Sequence, residues 1–100
     1  MFSLQKYRNK RIAIYGMGKS GCSVAKRLKF LKAKISCWDD DSKVRKKIRN
    51  LNFPVDKFWL NKNVIDYIVV SPGIDINECK IVYYLKRNLK KKLRKKKFLL

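Results

Sequence analysis

Residues 11–21 read RIAIYGMGKSG, and the fold turns on them. Arg11 to Tyr15 is a short apolar run that stops at a glycine, as a strand buried in a parallel sheet does where it enters a tight turn. Beyond it the apolar period changes. Val24, Ala25, Leu28 and Leu31 share one helical face while Lys26, Arg27, Lys29 and Lys32 occupy the other, which predicts an amphipathic helix from Ser20. Gly16, Gly18 and Gly21 therefore form G-x-G-x-x-G at a strand-to-helix junction. In such a loop the first glycine makes the turn, the second lets backbone approach a diphosphate, and the third lets the helix pack on the strand. The helix start adds free N–H groups and a partial positive charge, and Ser20 offers a hydroxyl.

Downstream, Lys34 to Asp39 reads as a second strand, ended by Asp39, Asp40 and Asp41, which no strand interior tolerates. Ser42 is the expected N-cap of a second helix carrying Val44, Ile48 and Leu51. Pro54 lies in a short extended piece, FPV, and residues 57–63 stay open between helix and loop. Tyr67 to Val70 (YIVV) is the clearest strand, closed by Ser71-Pro72-Gly73, because proline and glycine cannot continue a central ladder. The order strand, helix, strand, helix, strand, strand predicts an α/β fold, a half-Rossmann parallel sheet with flanking helices and right-handed crossovers. A basic C-terminal helix or tail follows. Two parts are expected: residues 1–85 as the nucleotide-binding domain and residues 86–100 as a lysine-rich tail.

Asp39 stands about 20 residues past the glycine loop, where such folds place an acid that accepts hydrogen bonds from the nucleotide. A solvated acid beside a structural turn is the plainer alternative. Gly18-Lys19-Ser20 imitates the end of a Walker A loop, but its first glycine would fall at position 13, and Ala13 is there. The longer loop that wraps ATP phosphates is excluded, and Lys19 reads as an exposed lysine within reach of a phosphate.

One hundred residues hold one small domain and one site. No apolar run approaches the roughly 18 residues of a membrane span, and the basic start lacks a cleavage-like small-residue site, so a cytoplasmic protein is expected. Cys22, Cys37 and Cys79 are odd in number and widely spaced, and the chain has no histidine; neither a disulfide framework nor a zinc site fits. Cys22 and Cys37 read as small core residues. The net charge is +20, and residues 86–97 (KRNLKKKLRKKK) hold nine of the 27 basic residues. Without that segment 18 basic residues face seven acids, leaving +11, an excess that an A-rich coding sequence would also produce.

The loop GMGKSG after an apolar strand, the WDD at the tip of the second strand, their spacing, and SPGI at residues 71–74 together resemble the N-terminal, UDP-sugar-binding domain of the Mur ligase family, in its D-glutamate-adding branch. The resemblance covers residues 8–80, and SPGI about 50 residues after the loop separates it from NAD dehydrogenases. It implies a ligase of peptidoglycan biosynthesis that joins D-glutamate to UDP-N-acetylmuramoyl-L-alanine with ATP and magnesium, with links to cell shape and division. Carried over, Gly18, Lys19 and Ser20 face the diphosphate in a UDP site that also includes Gly16 and Gly21, Asp39 and Asp40 face the uracil, and Ser71 with Gly73 border the pocket. That family's P-loop, carbamylated lysine, magnesium ligands and glutamate-binding domain have no counterpart in residues 1–100, and a GDIELF-like stretch after SPGI is missing. The chain is expected to bind as a monomer, without catalysing and without a cofactor of its own.

Two other readings stay open. An NAD-binding module of a redox or regulatory protein would use Asp39 on a ribose. A small basic nucleic-acid-binding protein would use the tail, where Ile81, Leu85, Leu89 and Leu93 recur every four residues and which suits nucleic acid or an anionic membrane alike; truncation or a frameshift in an A-rich stretch is the plainer origin of those lysines.

Overall fold

The computed structural model describes residues 6–60, 65–72, 74, 81 and 84. Five main elements alternate: strand β1 (Arg11–Tyr15), helix α1 (Lys19–Phe30), strand β2 (Lys34–Trp38), helix α2 (Ser42–Asn50) and strand β3 (Tyr67–Val70), with a 3-10 turn at Phe58–Leu60. The strands form one parallel sheet in the order β2-β1-β3. This is the Rossmann-like α/β arrangement that the sequence predicts.

β1 is central and covered on both faces, which is why its run is apolar without alternation. Ile12 and Ile14 point to one side with Cys37 and Val69, where Ala25, Leu28 and Leu31 of the α1 region and Ile48 of α2 pack on them. Ala13 and Tyr15 point to the other side, onto Phe58, Ile68 and Val70. Both helices thus lie on one face: α1 crosses from β1 to β2, and α2 crosses onward from β2 to the Val55 bridge on its far side, two right-handed crossovers in the same direction.

The two helices stop in the same way. Lys32 takes φ +67 after α1 and Asn52 takes φ +66 after α2. The following N–H groups reach back, Ala33 to Leu28 O and Phe53 to Ile48 O, each at 3.0 Å, and the residue pairs so joined are apolar. Both ends are Schellman motifs.

Three expectations shift. The cap of α2 is Asp41 and not Ser42: Asp41 is extended, and its Oδ1 accepts from Lys43 N at 2.9 Å. Asp39 Oδ1 in turn accepts from Asp41 N at 2.9 Å, which holds Asp41 in the pre-helical position and places Ser42 inside the first turn. The FPV piece makes a single parallel bridge, Cys37 to Val55, and not a strand; Pro54 has no N–H to extend the ladder. Leu51 has helical spacing yet is half exposed, since α2 has ended before it. Residues 58–60 of the ambiguous stretch form the 3-10 turn, while residues 61–64 and the predicted tail, 86–100, lie outside the described residues.

Cys37 is fully buried, and burial, with Cys22 nearby, pushes its thiol up to about 12. It stays an uncharged core residue at neutral pH. Cys22 is half-buried, its Sγ donating to Met17 O at 3.4 Å. Cys79 lies outside the described residues.

Candidate functional site

β1 sends the chain to β2 on one side, and β3 pairs on its other side. The loops leaving β1 and β3 therefore diverge at the carboxyl ends of the strands, where doubly wound folds open a crevice. The glycine loop lies at this end of the sheet, with Ser71 and Ile74 close against Gly16.

Each loop glycine answers to a different constraint. Gly16 sits at φ +95, and a Cβ there would stand 2.7 Å from Ser71 Cβ; its N–H donates to Trp38 O at 2.8 Å. Gly21 is excluded from bearing a side chain by the loop itself, since a Cβ would lie 2.0 Å from Gly16 O. Gly18 faces open space, with no atom within 4 Å of the Cβ position and an ordinary φ of −73. The packing of the chain requires glycine at 16 and 21 but not at 18.

Gly18 is also the N-cap of α1, without a side-chain hydrogen bond, and no acid occupies the first turn. The first intrahelical bond runs from Cys22 N to Gly18 O at 2.9 Å, so the N–H groups of Lys19, Ser20 and Gly21 precede the ladder. Lys19 and Ser20 are exposed at this end, and with Ser23 and Val24 they line a shallow depression along α1.

The acids beyond β2 take separate partners. Asp39 Oδ2 accepts from Met17 N at 2.8 Å, pinning the glycine loop, while its Oδ1 holds Asp41. Asp40 turns to the other side of the sheet, accepting from Tyr15 OH and from Trp38 Nε1. Ser71 N donates to Tyr15 O at 3.0 Å, and Ile74 N closes the turn onto Ser71 O at 2.9 Å. Gly16, Gly18, Lys19, Ser20, Gly21, Asp39 and Ser71 are thus gathered around one sheet edge; Asp40 faces the aromatic side, and Gly73 lies outside the described residues.

No family model matches the chain. Individual relatives do. It is 35% identical over 75 residues to the UDP-N-acetylmuramoylalanine--D-glutamate ligase of Paramagnetospirillum magneticum, covering 74% of this chain and 16% of the ligase. The ligase of the same name from Wolbachia pipientis wMel is 34% identical over 77 residues, covering 71% and 14%. That of Lactobacillus gasseri is 37% identical over 100 residues, covering 89% and 21%. The chain resembles the D-glutamate ligases of the Mur family. It spans between 14 and 21% of the length of these three relatives.

Several residues at this edge carry no signal in the sequence pattern. Arg45 donates from Nη1 to Asp39 O at 2.8 Å and lays its guanidinium 4.5 Å from the Trp38 ring centre. Trp59 meets the same indole edge-on at 5.2 Å. Arg45 sits four residues after Asp41, a spacing that marks neighbours on a helix, but its turn toward Trp38 depends on β2 ending beside α2. Met17 contributes through its backbone N–H, which carries no signature in the side-chain sequence.

Proposed function

We propose that this chain binds the UDP portion of UDP-N-acetylmuramoyl-L-alanine at the crevice between β1 and β3, as the nucleotide-holding part of a D-glutamate-adding ligase. The observation that carries the reading is the start of α1: an uncapped helix N-terminus, free of acids, behind a glycine that internal packing does not require. A diphosphate suits it, because the helix-end amides donate and the dipole favours negative charge. In this reading Gly16, Gly18, Lys19, Ser20 and Gly21 form the diphosphate cradle, with Lys19 as a mobile cation. Asp39 serves the uracil, since a carboxylate oxygen accepts more than one hydrogen bond and a uracil offers an N–H, while Asp40 is engaged on the aromatic side by Tyr15 and Trp38. Ser71 and Gly73 border the pocket. The D-glutamate ligase names of the relatives support the substrate class.

Among the described residues no group of three or more metal-ligating side chains stands together, and the glycine loop is not a Walker A loop. The proposal is one of nucleotide binding, and no step of it runs through ATP or magnesium.

Thermal unfolding of the full chain tests the reading. UDP-N-acetylmuramoyl-L-alanine raises Tm in a concentration-dependent way, NADH does not, and Asp39→Ala diminishes the rise. Equal shifts with both ligands would replace the UDP reading by an NAD-binding module, and no shift with either would remove the site.

A further inference from the structure

α1 (KSGCSVAKRLKF) and α2 (SKVRKKIRN) hold nine lysines and arginines between them and no acid. Both pack on the same face of the sheet, so their outer surfaces form one layer of a single sign. Eight of those nine residues are exposed; Arg45, half-buried, is the ninth. Asp39, Asp40 and Asp41 stand instead at the carboxyl ends of the strands, with Asp56 just beyond the Val55 bridge to Cys37.

The helices run antiparallel to the strands, so both end where the strands begin. There Phe30 is 78% exposed and Leu51 is 51% exposed, one at the end of each helix. Around them lie Arg27 and Lys29 in the last turn of α1, and Lys47 and Arg49 in the last turn of α2. Lys10, Lys32 and Lys34 are exposed at the same end, where Lys34 N donates to Lys10 O and Asn9 N to Lys32 O. The acid described at this end is Asp66, half-buried and accepting from Arg11 N at 2.9 Å.

We infer that this end of the domain, with the helical layer above it, docks on an anionic lipid bilayer. Lysine and arginine meet acidic headgroups by charge complementarity, and two exposed apolar tips among them suit the boundary between headgroups and acyl chains. A nucleic acid would match the charge but leave Phe30 and Leu51 unused, and the layer offers one aromatic ring, not the series on which bases stack. Docked in this way, the crevice between β1 and β3 faces away from the membrane. The inference stands whether or not that crevice binds a nucleotide.

The test is flotation of the full chain with vesicles of phosphatidylcholine, with and without about 30% phosphatidylglycerol. Binding is expected only with the acidic lipid. The variant K26E/R27E/K46E/K47E should lower the bound fraction on the order of tenfold or more, and the milder K26Q/K46Q, whose fold is checked by circular dichroism, should lower it partway. The pair F30S/L51S should weaken vesicle binding several-fold while leaving retention on duplex DNA unchanged. Vesicle binding that survives charge reversal would assign it to residues 86–100 and overturn the inference. Vesicle binding indifferent to F30S/L51S would overturn it too, in favour of a surface for polyanions such as nucleic acid.

Discussion

α1 and α2 lie side by side on one face of the sheet and end in matching Schellman motifs, yet they begin in opposite ways. Asp41 seals the start of α2 with its own carboxylate. Gly18 leaves the start of α1 open, and the nearby carboxylate of Asp39 is spent on Met17 and Asp41 instead of on the helix. A helix end whose donors are satisfied internally is a structural element; one left with free amides at a sheet's switch point is a place for an anion. The contrast locates the candidate site more sharply than the glycine count does.

The largest expected effect comes from filling the joint behind the open end. Gly21→Val forces side-chain atoms into Gly16 O and should cost about 3 kcal/mol or more by urea denaturation, because backbone cannot yield as a side chain does. Next, Asp41→Ala removes the cap of α2 and should cost about 1 kcal/mol, with ligand-induced Tm shifts preserved. Gly18→Ala is its counterpart at α1: stability should stay within about 0.5 kcal/mol of the parent, while the Tm shift with UDP-N-acetylmuramoyl-L-alanine falls. If Gly18→Ala cost clearly more stability than Asp41→Ala, or left the Tm shift undiminished, the distinction between the two helix starts would collapse.

The smallest effect concerns the ends the helices share. Lys32 occupies a left-handed conformation that glycine enters without cost, so Lys32→Gly should stabilise by a few tenths to about 1 kcal/mol, read as a higher urea midpoint with unchanged m. Asn52 tolerates the same conformation better than lysine, and Asn52→Gly should change less.

Much of this was legible in advance because it depends on neighbours in the chain. The strand ending at Gly16, the helix after it and the apolar YIVV all follow from periodicity and turn chemistry. The cap of α2 falls one residue before Ser42, because three aspartates and a serine in a row all qualify as caps; the hydrogen bond from Asp41 N to Asp39 decides among them. The FPV segment shows the same limit, since its extended form is local whereas its single bridge depends on where Cys37 lies.

By itself the amino-acid order determined that an α/β domain forms and that a glycine loop joins its first strand to its first helix, since steric rules over a few residues suffice for both. Only the tertiary structure decided that Gly16 and Gly21 are held by packing while Gly18 is left free, and that Asp39 and Asp40 part to opposite sides of the sheet. It also decided that the two acid-free helices share one face. Those outcomes depend on contacts between segments distant in the chain, and such contacts exist only once the sheet has brought the strand ends together.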